Sequence, residues 1–195
     1  MMGSVVSEQG GRGFGRVKAA AGRSAEVRVR AATAADAEAL HALVHDHLKE
    51  GHLLPRDLAE VRRHASRFVV VERGGAIQAC AELAPLSRTV AEVRSLVVAG
   101  HARRAGVASR LVQELQNRAR ATGFETLCAF THDARFFVRQ GFSIVPHMWV
   151  PEKISTDCLA CPLFQHCGQY AMVLPLRMSA RGSATTAVSR PVAVA

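Results

Sequence analysis

No apolar run in this chain of 195 residues approaches the roughly eighteen consecutive residues that a membrane helix needs. The first 25 residues likewise lack the apolar segment of a secretory signal. These two absences exclude an inserted helix and lead to the expectation of a cytoplasmic protein with no membrane partner. No internal repeat is detectable, which sets aside solenoids and propellers. Tyrosine is nearly missing, Tyr170 being the single example. Without an export signal the five cysteines, Cys80, Cys128, Cys158, Cys161 and Cys167, are expected as reduced thiols.

Acidic charge is also short, and the formal net charge is +9. Its placement argues against a nucleic-acid partner: residues 1–25 and 177–195 each carry +3, leaving +3 for residues 26–176. A nucleic-acid binder concentrates its positive charge on a folded face rather than at its ends. With 49% hydrophobic residues the chain can bury one substantial core. The expected organisation is a disordered basic tail over 1–25, one domain over 26–176 and a second disordered tail over 177–195.

The folding pattern begins at Glu26, where VRVR alternates as a strand before ATAADAEALHALVHDHLKEG. In that segment Thr33 and Asp36 form a capping pair, Leu40, Leu43, Val44 and Leu48 repeat at helical spacing, and Gly51 closes the helix. A short helix follows Pro55. RFVVVER and AIQACAEL flank Gly74 and Gly75 as a hairpin. TVAEVRSLVV reads as a strand, SRLVQELQNRARATG as a helix with its stripe at Val107, Leu111, Leu115 and Ala119, and ETLCAFT as a further strand. Ala134 to Arg139 forms a short helix, and QYAMVLPL a late strand. The fold class is α/β, in the α+β sense.

The most informative stretch is Val90 to Val98 with the turn Arg103 to Ala108 at the head of a helix. A helix start presents unpaired N–H groups and the positive end of its dipole. Gly106 and the small Ala108 would let a diphosphate reach that backbone, with Arg103 and Arg104 adding charge. RRAGVA has the RxxGxA form of the acetyl-CoA diphosphate loop, and RFFVRQGF resembles a second signature ending in Gly-Phe. On these segments the chain resembles the GNAT superfamily of N-acetyltransferases. Over about residues 27–174 it is similar to the acetyltransferase domain of N-acetylglutamate synthases, especially the short bacterial form, through EGHLLPRDLAEV, AEVRSLVV, FTHDARFFVRQGF and PEKISTDCLACPLFQHC.

The resemblance implies a GNAT fold: a mixed, mostly antiparallel central sheet flanked by helices, with a splayed strand pair receiving acetyl-CoA as cosubstrate. It implies acetylation of a small amino acid, glutamate first, in arginine biosynthesis, by direct attack on the thioester. Glu92 matches the general base of the family, with a surface or ion-paired glutamate beside Arg94 as the alternative. A backbone N–H near Leu96 would meet the oxyanion, Val98 would continue the pantetheine contact, and Arg103, Arg104, Ala105, Gly106, Val107 and Ala108 would hold the diphosphate. Arg56 matches a family arginine and, with Arg94, is a candidate for the substrate carboxylate. His132 and Arg135 are not assigned. Many superfamily members place a tyrosine acid four residues before the Gly of the second signature, where Phe137 stands here.

Cys158, Cys161 and Cys167 have a spacing that can bind zinc, which takes four ligands, and His166 adjoins the third cysteine. Three are evident, so no metal ligand is assigned and zinc stays open beside structural or redox-sensitive thiols. The oligomeric state is also open, a homodimer included. Other acceptor amines, or a non-catalytic module that binds acyl-CoA, are the competing functions.

Overall fold

The computed structural model describes residues 26–50 and 53–176. The two expected tails and Gly51 therefore lie outside the described residues. Seven strands form one sheet: β1 (Val27–Ala31), β2 (Phe68–Arg73), β3 (Ala76–Pro85), β4 (Val90–Val98), β5 (Thr126–Thr131), β6 (Ser143–Val145) and β7 (Tyr170–Pro175). Their spatial order is β1-β2-β3-β4-β5-β7-β6. All neighbours are antiparallel except β4 and β5, which run parallel. The connection that makes them parallel is α3 (Val107–Thr122), the crossover a parallel pair requires. Gly74 and Gly75, at φ 59 and 81, supply the left-handed turn that joins β2 to β3.

Alternation along the strands divides the core in two. Residues Ala79, Ala81, Ala91 and Val93 face α3, whose Val107, Leu111, Leu115 and Ala119 are all buried there together with Phe137 of α4 (Ala134–Arg139). Phe68, Val70, Cys80 and Val97 face the other way, under α1 (Ala37–Asp46) and α2 (Leu58–Arg63). Burying each large side chain of the α3 stripe contributes roughly 1.5–3 kcal/mol, which holds the start of that helix against the end of β4.

The first helix is shorter than expected. It stops at Asp46, and Leu48 lies in a separate half-exposed 3-10 turn. The His47 ring, through Nδ1, lies 2.7 Å from the Leu43 carbonyl that a continuing helix would offer to the His47 amide. That amide turns instead to Val44, at 3.2 Å, in a tighter 3-10 pattern. Two elements carry no sequence expectation by residue: β6, and α5 (Pro151–Thr156), whose first residue Pro151 suits a helix start. Around them Val90, Cys128, Val145, Val150 and Ala171 form a third small core.

Candidate active site

The pairing of β4 with β5 covers only Val90–Val93 against Thr126–Ala129. Past Val93 the strands part, so the edge of β4 that would have paired with β5 is left facing open space. On its other edge β4 is bulged: between the pairs Cys80↔Val97 and Glu82↔Arg94, β3 has one residue and β4 has two, Ser95 and Leu96. Ser95 adopts φ 50, a left-handed conformation uncommon for a residue with a side chain. The extra residue brings Leu96 and Val98 onto the α3 face and leaves Glu92 and Arg94 on the opposite one. A cleft of about 1070 Å³ opens at this divergence.

At one end of the cleft lies the start of α3. Gly106 precedes the helix at φ 72, no side chain caps it, and Arg104 is also left-handed at φ 65. The N–H groups of Val107, Ala108 and Ser109 have no protein acceptor among the described residues, so an anion is the natural partner. A Cβ placed on Gly106 would meet nothing within 4 Å, which leaves room for one. Leu96, Val98, Arg103, Arg104 and Ala108 line the cleft. Ala105 and Gly106 are exposed in the turn, while the Val107 side chain is buried in the core and offers only its backbone outward. Arg103 is positioned by the Val98 carbonyl, 3.0 Å from Nε, and by Glu50.

Toward the other end, Glu92 is 3% exposed and bound on both oxygens. Arg94 donates to Oε2 through Nε at 2.9 Å and Nη2 at 2.7 Å, and Lys153 of α5 donates to Oε1 at 2.8 Å and Oε2 at 2.9 Å. Asp157 completes a ring of four charges, 2.5 Å from Arg94 Nη2 and 2.9 Å from Lys153 Nζ. Burial works against the charge of Arg94, yet Glu92, Asp157 and Glu82 together raise its proton affinity above the ordinary arginine value. Arg56 lies across the bulge. It donates to buried Glu82 at 3.0 Å, to Ser95 Oγ at 3.2 Å and to Glu60 at 2.9 Å. The inner pairs, Arg56 with Glu82 and Arg94 with Glu92, hold their buried carboxylates in place, since a lone buried charge is costly.

The structure thus brings Glu92, Arg94 and Arg56 to one wall of the cleft and the α3 turn to its end. His132 also lines the cleft and Arg135 does not. Phe137 is on the wall as well, edge-on to Phe136 and Phe142 with centroids 5.1 and 5.2 Å away. Tyr170 does not line it. Lys153, Asp157, Glu60 and Glu82 carry no expectation from sequence. The spacing of Lys153 and Asp157 in PEKISTD, one helical turn apart, was the available signal.

Among the described residues no group of three or more His, Cys, Asp or Glu is placed to hold a metal ion. Cys158, Cys161 and Cys167 are free thiols at or near the surface, and Cys161 borders the cleft. Cys80 and Cys128 are buried instead, burial pushing the Cys80 thiol up to about 12.

Residues 32–142 match the family described as Acetyltransferase (GNAT) family. An uncharacterised N-acetyltransferase of Chlorobaculum tepidum is 30% identical over 78% of this chain and 99% of its own length. The amino-acid acetyltransferase of Pseudomonas syringae is 35% identical over 58% of this chain, and the match spans only 27% of that longer protein. Among solved structures, N-acetylglutamate synthase of Neisseria gonorrhoeae, complexed with coenzyme A and N-acetyl-glutamate, superposes with a TM-score of 0.70 at 25% identity. That superposition covers 80% of this chain and 36% of the synthase. With the parted strands, the uncapped helix start and these relatives in agreement, the chain belongs to the acetyltransferase (GNAT) family and so to the acetyl-CoA-dependent acyltransferases.

Proposed function

We propose that the chain transfers the acetyl group of acetyl-CoA to the amine of a small amino acid, with L-glutamate as the substrate. The observation that carries this reading is the position of Glu92. Its carboxylate is buried on β4 where the strand leaves β5, and Oε1 accepts one hydrogen bond among the described residues, from Lys153. A carboxylate oxygen has two lone pairs, so Oε1 retains one for a water.

In this reading the amide turn of α3 holds the diphosphate, with Arg103 and Arg104 beside it, and the pantetheine runs along the open edge of β4. The neutral amine attacks the thioester carbonyl carbon, a C–N bond forms and the C–S bond breaks. The amine proton passes through water to Glu92, a transfer worth about 10²- to 10⁴-fold in rate. A backbone N–H at the bulge near Leu96 meets the oxyanion. Coenzyme A leaves as a thiolate and takes its proton from water, because Phe137 has none to give. Arg56 and Arg94 face the substrate carboxylates. The named relatives support an amino-acid acceptor, and the product would enter arginine synthesis in the cytoplasm, with no membrane or nucleic acid involved.

A different amino acid or small amine is the second reading. It holds if the two arginines keep the two carboxylate partners that each already has within the chain. The discriminating experiment is thiol detection with acetyl-CoA and a panel of amines. Release that is fastest with L-glutamate supports the proposal, faster release with a neutral amine reassigns the acceptor, and no amine-dependent release leaves an acyl-CoA-binding module.

A further inference from the structure

Arg56 and Arg94 are each held by one inner and one outer carboxylate. For Arg56 the inner partner is Glu82, 1% exposed, and the outer one is Glu60, 40% exposed. For Arg94 the inner partner is Glu92, 4% exposed, and the outer one is Asp157, 33% exposed, which it shares with Lys153. The inner pair belongs to the sheet face, where Glu82 and Arg94 stand opposite one another on β3 and β4. The outer pair comes from α2 and from the residue that ends α5, and both outer residues border the cleft.

This repetition has a physical consequence. Arg56, nine-tenths buried, and Arg94, three-quarters buried, each need a counter-charge when a ligand is absent. Glu82 cannot leave Arg56 without stranding a charge in the interior, and Glu92 is held by Lys153 as well as by Arg94, whereas Glu60 and Asp157 can turn into water. Two arginines with one exchangeable carboxylate each match a ligand with two carboxylates.

We propose that Asp157 and Glu60 are resident stand-ins for the two carboxylates of a dicarboxylic amino acid, which displaces them from Arg94 with Lys153 and from Arg56. The proposal rests on amino-acid acetylation and makes these two residues specificity determinants within it. A ligand with one carboxylate displaces one stand-in and leaves the other in place. An amine without a carboxylate displaces neither. The stand-ins lower apparent affinity in proportion to the time they occupy the arginines.

The test compares the full chain with Asp157→Asn, Glu60→Gln and Asp57→Asn. Asp57 is exposed and caps α2 beside Arg56 without contacting it, and asparagine caps equally well, so this variant removes a nearby charge but no stand-in. Glutarate, a dicarboxylate without an amine, is titrated calorimetrically into each protein saturated with coenzyme A, and KM for L-glutamate is measured in parallel. The expected result is glutarate binding about three- to tenfold tighter in both Asp157→Asn and Glu60→Gln, with KM for L-glutamate falling by a similar factor and Asp57→Asn matching the parent. Unchanged or weaker glutarate binding in both stand-in variants overturns the proposal, as does equal tightening in Asp57→Asn. Failure of the amino-acid reading looks different: the parent then releases no thiol with any amino acid, while the glutarate titration still decides whether the exchange occurs.

Discussion

Lys153 Nζ lies 2.8 Å from Oε1 and 2.9 Å from Oε2 of Glu92, so a helix near the end of the fold is fastened to the buried carboxylate of its central strand. This contact joins residues 61 positions apart and ties α5 to β4 at the divergence of β4 from β5. It makes the orientation of Glu92 depend on both its own strand, through Arg94, and the late segment.

Replacing Lys153 with Met removes one of two cations from a carboxylate that is almost wholly buried. Stability should fall by about 1–3 kcal/mol, the usual cost of losing a hydrogen bond to a charged group. Urea unfolding measures it. Turnover should fall as well, because Arg94 alone fixes only Oε2. A variant as stable and as active as the parent would show that α5 does not position Glu92.

Gly106→Ala tests the helix start. The residue stands at φ 72, and alanine in that region costs roughly 1–2 kcal/mol. The added methyl meets no protein atom within 4 Å, so the effect comes from backbone strain that re-aims the first amides of α3 and from the methyl entering the space left for the anion. KM for acetyl-CoA should rise about tenfold while KM for the amine stays within about twofold, since the proposed site of the amine is at the other end of the cleft. Steady-state kinetics with each substrate varied separates the two.

Much of this arrangement is legible in the sequence where the signal is local. The α3 stripe, the glycine hairpin of β2 and β3 and the turn before Val107 each declare themselves within a few residues. Glu92 and Arg94 share a face because strand residues two apart do. The closing of the site is not local. Lys153 and Asp157 reach Glu92 and Arg94 from more than sixty residues away, and Glu82 meets Arg56 across 26. The bulge is equally hidden, because Ser95 is not a residue that announces a left-handed conformation. β6 has three residues, too few for a period to emerge, and the six of α5 bury no side chain fully and so show no apolar stripe.

Acid sensitivity should be set in part far from the cleft. The Arg30 guanidinium, 2.8 Å from Asp36, holds that carboxyl well below the ordinary carboxylate range and also pairs with Glu72. A depressed folded-state value contributes stability that is present in full above the unfolded value near about 3.9 and is lost as pH falls toward the folded one. Asp36→Asn should therefore be less stable than the parent at neutral pH, with the difference shrinking below about pH 4. Urea midpoints across pH 2 to 7 give the comparison.

The most direct test of the catalytic account is single-turnover thiol release by the parent and by Glu92→Gln, with acetyl-CoA bound first and L-glutamate added second. Amine-dependent release is expected in the parent, with a rate about 10²-fold or more slower in the variant and coenzyme A affinity retained. Release at the parental rate from Glu92→Gln would contradict it.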